Sequence, residues 1–395
     1  MDLTKTLIAL SIIGFVTIPV QSSAAVNNPP VDATVVNLRT TCTEGGVEVP
    51  NCFNDLAVLE NWMNNVRTAS ALLVKIGPGT FVRARGNITG ALNCSRGNLT
   101  LEGSGRTQTI LAASLGGYPS AGIAIFAGCD NLNVQDLKIT GWLQGAVVNN
   151  VSAKTTWTNV ELEGGNYGWL ETGTCPNHNG RHTWNSSRIV GLGAASGNGI
   201  SITYTSTCAQ SWFFGSEIVA NETGSGTGSF ALEATDAEVH LYGSNARLIV
   251  GTGANADQAD LIRALTNSVV HIHGTGLDVV HNGSGNVAFL RADATSHFHA
   301  NASGFSLHNN GTGTVARLAG AGAIEAPYQW GQQTSPPAII SRSGADTYVE
   351  TDCPNTGNCS TGGTFPHTMV YRAECTGTGA NQGPWYDTVT NACRQ

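Results

Sequence analysis

Of the 395 residues only 12% are charged, about half the usual share of roughly 25%, and the net charge is −8. An apolar share of 41% and 49 glycines exclude a disordered chain, which would carry more charge and fewer apolar residues, and suit a folded chain with many turns. The acidic balance argues against nucleic acid or an anionic membrane as partner.

Residues 1–25 read as a secretory signal peptide. Lys5 gives a weak basic start beside Asp2, Leu7 to Val20 is apolar, and Ser23-Ala24-Ala25 offers a cleavage site before Val26. The run is short of the ~20 apolar residues a membrane span needs, and no later stretch reaches that length. A secreted or periplasmic protein without a membrane span is therefore expected. The even count of ten cysteines fits an oxidising compartment. Pairing neighbours in order gives Cys42–Cys52, Cys94–Cys129, Cys175–Cys208, Cys353–Cys359 and Cys375–Cys393, the second and third spaced to tie adjacent coils of a repeat; spacing alone does not fix the connectivity. Paired Cys-x2-Cys units of a zinc site are absent.

Residues 26–69 form an N-terminal segment: an extended lead-in, the Cys42–Cys52 loop, and one amphipathic helix. Asn54-Asp55 supplies the N-cap, and Leu56, Leu59, Trp62, Met63 and Val66 follow at helical spacing. We expect this helix to cap the N-terminal end of a repeat structure. Leu72 to Phe81 is a strand running into Gly-Pro-Gly-Thr-Phe, and Asn98 onward reads Asn-Leu-Thr-Leu-Glu-Gly-Ser-Gly with a Thr-Ile strand close behind. A capping helix, a strand ending Pro-Gly-Thr-aromatic, and Asn-Leu-Thr-Leu-x-Gly-x-Gly together resemble the N-terminal half of the pectin-lyase-like superfamily. That resemblance implies a right-handed parallel β-helix. It also implies a range of roles: polysaccharide lyases, polygalacturonase-type hydrolases, epimerases and non-enzymatic surface proteins.

The residues from 70 to 326 bear the same fold out by periodicity. Val134, Trp157, Trp184 and Phe213 recur at one coil position and read as an internal stack. Between them, Tyr167 to Asn185 and Asn198 to Gln210 are longer segments, read as side loops where a site could be built. Residues 231–320 then hold three copies of a unit repeating about every 26–31 residues, a period that marks a solenoid. Each copy has three short strands of alternating polarity and no helix between them. The predicted class is all-β: a single-stranded right-handed parallel β-helix, three strands per coil, with an N-terminal capping helix and a Cys-rich C-terminal cap. Residues 327–395 lose the period; they read as that cap, with a small binding module using Trp385 and Tyr386 as the alternative.

Two outward patterns could carry chemistry. His271-Ile-His273 and His297-Phe-His299 look like one strand position in consecutive coils, preceded by His240-Leu-Tyr242. With Leu241, Ile272 and Phe298 turned inward, the histidines would face outward on strands ~4.8 Å apart, able to hold Zn²⁺ or Cu²⁺ or simply to stack as a surface ladder. Glu233, Arg263 and Arg291 align by the same repeat, with Asp293 two residues beyond Arg291. In lyases of the resembled fold a base removes the proton beside a uronate carboxylate while a cation or arginine neutralises that carboxylate. These four residues are the candidate catalytic set, a charge ladder on a solvated face being the alternative. The Trp-x-Asp-His and Arg-x-Pro-x-x-Arg patterns of pectate and pectin lyases are absent, as is any clustered Asp pair of the polygalacturonase kind. The reading is thus a secreted β-helix protein that engages extracellular polysaccharide or a cell-surface component, with cleavage open and a lyase ahead of a hydrolase. The alternatives are an adhesin-like structural protein and a metal-binding protein. No cofactor is firmly implied; a divalent metal, Ca²⁺ or Zn²⁺, is the one in view.

Overall fold

Alternating side chains let a strand bury one face and wet the other, and short strands between glycine- and asparagine-rich turns let the chain coil back on itself. The computed structural model describes residues 29–83, 90–113, 120–149, 152–175, 178–194, 199–205, 207–221, 230–242, 247–250, 261–274, 278–281, 287–293, 295–302, 306–309, 315–320, 323–325, 350–352, 367–371, 385–387 and 392–394. The chain forms the expected all-β parallel solenoid. Its strands pair in parallel into ladders, each strand bonded to the equivalent one a coil away. The first ladder runs through Leu132–Gln135, Lys154–Thr158, Arg181–Asn185, Gln210–Phe214, Glu238–Tyr242, Val269–Gly274 and His297–Ala302. A second takes in Arg188–Gly191, Glu217–Ala220 and Arg247–Val250, and a third Ile200–Thr205, Phe230–Thr235 and Ile262–Leu265. The long strands Lys138–Asn149 and Glu161–Thr172 bend and contribute to both the second and the third.

Between the first and second ladders the backbone turns through left-handed φ at Asp136, Asn159, Ser186 and Gly215 in successive coils. Short polar residues and glycine tolerate that conformation best. Asn159 Nδ2 donates to Asp136 Oδ1 at 2.6 Å, so the turns are themselves bonded from coil to coil. The lumen is filled in register. Val134, Trp157, Trp184, Phe213, Leu241 and Ile272 pair in sequence, all buried. Trp184 stacks on Trp157 at 5.1 Å and on Phe213 at 5.8 Å, with Trp169 edge-on to both tryptophans. This is the internal stack the period predicted.

Helix α1 (Leu56–Asn61) starts where expected: Asp55 accepts from the N–H groups of Ala57 and Val58. Leu56, Leu59, Trp62 and Met63 are buried, but Val66 is exposed. After Asn61 the chain widens into a π turn, Trp62–Val66, closed by Arg67 N–H on Trp62 O, and the wider turn rotates Val66 outward. The disulfides Cys42–Cys52, Cys94–Cys129 and Cys175–Cys208 form as the cysteine order suggested, the latter two joining neighbouring coils. The pairing of Cys353, Cys359, Cys375 and Cys393 lies outside the described side chains. In the C-terminal region four short strands form an antiparallel sheet, with Trp385 opposite Tyr371. Tyr167 to Asn185 and Asn198 to Gln210, read as side loops, are mostly ladder: Glu161–Thr172, Arg181–Asn185 and Ile200–Thr205 are strands. No described helix is long and apolar enough to cross a membrane.

Candidate functional site

The first ladder turns its inward residues to the lumen and its alternate residues outward. In three successive strands the outward residues are rings. Trp212 stacks on His240 at 5.5 Å and 7°, and His240 on His271 at 4.3 Å and 4°. Beside them Phe214 stacks on Tyr242 at 5.0 Å and 16°, and Tyr242 on His273 at 4.3 Å and 8°. Like rings in register on parallel strands overlap in this way. Because the rings stack along the solenoid, they show solvent their edges. Ring faces open only where the ladder stops. Among the described side chains one end lies at Trp212 and Phe214, whose partners in the preceding coil are the short Thr183 and Asn185, beside exposed Arg181.

The imidazole edges converge on one carboxylate. Glu238 Oε1 lies 3.0 Å from His240 Nε2 and 3.3 Å from His271 Nε2, and Gln210 Nε2 donates to Glu238 Oε2 at 2.8 Å. His240 Nδ1 lies 3.2 Å from His273 Nε2. Burial lowers the His240 pKa, although Glu238 pulls the other way. Partial burial would raise the Glu238 carboxyl, but the Gln210 hydrogen bond and the two imidazoles hold it below the usual range.

The histidine register differs from the expected one by two residues. His299 pairs with His271, while His297 pairs with Val269 and Phe298 with Val270. Opposite His273 is Asn301. Phe298 is buried as predicted, but against Val270's position and not Ile272's. The side chains of His297 and His299 lie outside the described ones, so the set brought together is His240, His271 and His273.

Glu233, Arg263 and Arg291 stand in register on the third ladder, on a different face from the histidines. Arg263 Nη1 lies 3.4 Å from Glu233 Oε2, and its guanidinium sits 4.6 Å over the Phe230 ring. Asp293 ties its own turn to that of the preceding coil: Oδ2 accepts from Thr266 N–H at 2.6 Å and Oδ1 from Thr295 N–H at 3.0 Å. Mild burial opposes these bonds, and they still lower its pKa.

Two further clusters went unread in the sequence. On the second ladder, Lys138, Glu161, Arg188 and Glu217 alternate in sign along the axis. Lys138 Nζ lies 2.8 Å from both Glu161 and Glu163, and Arg188 bridges Glu161 at 3.4 Å and Glu217 at 3.1 Å. The alternation is visible in Leu-Lys-Ile, Val-Glu-Leu, Ser-Arg-Ile and Ser-Glu-Ile at successive coil positions. In the lumen, Glu171 is fully buried with His178 Nε2 at 2.6 Å and His182 Nε2 at 2.9 Å. The second nitrogen is close enough for an ion pair although its N–H direction misses a hydrogen bond. His182 Nδ1 meets Thr155 Oγ1 at 2.9 Å, which also accepts from Trp157 Nε1.

Neither a protein-family model nor a curated protein sequence matches the chain. Among solved structures it is similar to pectin methylesterase PemA from Erwinia chrysanthemi, at 12% identity and a TM-score of 0.42, over 68% of this chain and 89% of that one. It is also similar to the pectate lyase Pel9A, at 12% identity and a TM-score of 0.40, over 70% and 78%. Geobacillus virus E2 ORF18 matches at 11% identity and 0.36, over 73% and 62%. With every score below one half, the fold assignment rests on the register of this chain's own strands, and its class is a disulfide-tied parallel β-solenoid.

Proposed function

We propose that the chain is an exported β-solenoid that binds an acidic polysaccharide on the outer face of the first ladder. The observation that carries this reading is the step at which the aromatic ladder ends. Trp212 and Phe214 stand one coil above Thr183 and Asn185, about 4.8 Å away, so two ring faces overlook a lower polar floor. Phe214 is 41% exposed, the largest exposure of any big aromatic among the described residues. A pyranose laid on that floor stacks its C–H face on the rings, while Arg181 offers a bidentate partner to a carboxylate of the sugar. The leader-like residues 1–25 and the three disulfides support export. The helix at 56–66 and residues 327–395 are then the two ends of the solenoid.

The test is affinity electrophoresis and calorimetry of the mature chain against uronic and neutral polysaccharides. A uronic polymer should be retained, Trp212→Ala should weaken retention at least about tenfold, and Arg181→Gln should abolish the preference for acidic over neutral polymer. Retention that ignores both substitutions would overturn the reading. Unsaturated-product absorbance in the same mixtures would add cleavage by elimination, and Arg263, Arg291, Glu233 and Asp293 are the residues to substitute in that case.

A further inference from the structure

We propose that His240, His271 and His273 bind one divalent transition-metal ion, with Glu238 as the positioning carboxylate. One ring nitrogen from each of the three imidazoles lies within 4.8 Å of the others. The separation of His240 Nδ1 and His273 Nε2 is 3.2 Å. Two nitrogens each ~2.0–2.1 Å from a tetrahedral Zn²⁺ stand about 3.3–3.4 Å apart, so this pair is already near chelating distance.

Glu238 sets the tautomers. Its Oε1 faces Nε2 of both His240 and His271. When those nitrogens carry the protons toward the carboxylate, Nδ1 of each ring keeps its lone pair. A ligating histidine bound through its other nitrogen to a carboxylate is the usual second sphere of a metal centre. Glu238 is itself held by Gln210. His271 costs most to recruit. It lies flat on His240 at 4.3 Å, and His273 is also within 10° of parallel to His240; parallel rings on neighbouring strands cannot both hold one ion in plane, so His271 and His273 must both tilt about χ2, His271 further. Three neutral imidazoles select Zn²⁺, Ni²⁺ or Cu²⁺ over Ca²⁺ and Mg²⁺, which take oxygen ligands. The site stands apart from the polysaccharide reading, since none of its ligands belongs to the floor or to the open ring faces.

The experiment is calorimetric titration of the chelator-stripped full chain with Zn²⁺, followed by Co²⁺ to read tetrahedral visible bands. One ion per chain is expected, unaffected by a large excess of Ca²⁺. His273→Gln and Glu238→Gln should each weaken Zn²⁺ about 10–100-fold, while Lys75→Ala, exposed on a distant coil, leaves Zn²⁺ affinity unchanged. Circular dichroism of each variant checks the fold. Imidazole proton resonances of the unsubstituted chain give a second readout, three histidines shifting with Zn²⁺. The absence of saturable binding, displacement by Ca²⁺, or affinity unchanged in both variants overturns the proposal. The last outcome would place the ion elsewhere, such as at His297 and His299.

Discussion

Glu171 is a charge in a place that penalises charge. Burial alone would raise its pKa. The neighbouring His182 imidazole, and then the hydrogen bond with His178, outweigh burial and lower the carboxyl to about 2. Its other neighbours are the Trp169 Nε1–H at 3.4 Å and Tyr204, whose phenol is pushed upward by its own burial and by the Glu171 charge. A glutamate in an unfolded chain titrates near ~4.3. The stabilisation from Glu171 is therefore complete above about 4.3 and is lost as pH falls toward 2. Removing one partner of such a buried pair leaves the other charge or dipole unanswered. Glu171→Ala should cost about 3–5 kcal/mol near neutral pH, measured by urea unfolding. The gap between this variant and the unsubstituted chain should narrow between pH 4.3 and 2. A gap constant over that window would mean the carboxyl carries no depressed pKa.

At the scale of elements, the two sides of the first ladder should respond differently to loss of a ring. Trp184 is sandwiched between Trp157 and Phe213 in the lumen. Trp184→Ala should cost about 3–5 kcal/mol through transfer and cavity terms. Phe214→Ala, on the wet side of the next strand, should cost under about 1 kcal/mol. Paired thermal melts of the two variants check this, and equal losses would contradict the inside–outside assignment. The inner stack was legible because large apolar residues leave a clear period in sequence. The outer register was not. The doublets His271-Ile-His273 and His297-Phe-His299 look alike, yet the pairing of Arg263 with Arg291 fixes His271 opposite His299, because equal lengths separate each arginine from its histidine. An outward position tolerates many residue types, so likeness there is a poor guide. The Glu171 cluster was hidden for another reason. Trp169-x-Glu171 and His182-x-Trp184 put polar residues in inward slots, and only the neighbouring coil shows how they are satisfied.

Over the whole molecule, each coil touches only the coils beside it, and stability is close to a sum of nearest-neighbour contacts. A link between two coils then acts on those two and fades with distance. Cys94–Cys129 closes 35 residues, tying strand Gly90–Cys94 to the turn that follows its ladder neighbour Ala121–Ile125, and Cys175–Cys208 closes 33. Chain-entropy arguments give about 3–4 kcal/mol for loops of that length. Removing Cys94–Cys129 by paired serine substitution should therefore loosen its own coils selectively. Amide exchange should quicken at Leu92, Ile123 and Ala146, which are ladder neighbours. It should stay unchanged at Leu232 and Leu241, several coils away. Removing Cys175–Cys208 should shift the affected stretch toward Trp169 and Ile202, paired across that junction. Exchange read site by site would decide between local and global coupling. If either pair of substitutions quickened Leu92 and Leu241 alike, the solenoid would be opening as one unit, and the additive nearest-neighbour description would fail for this chain.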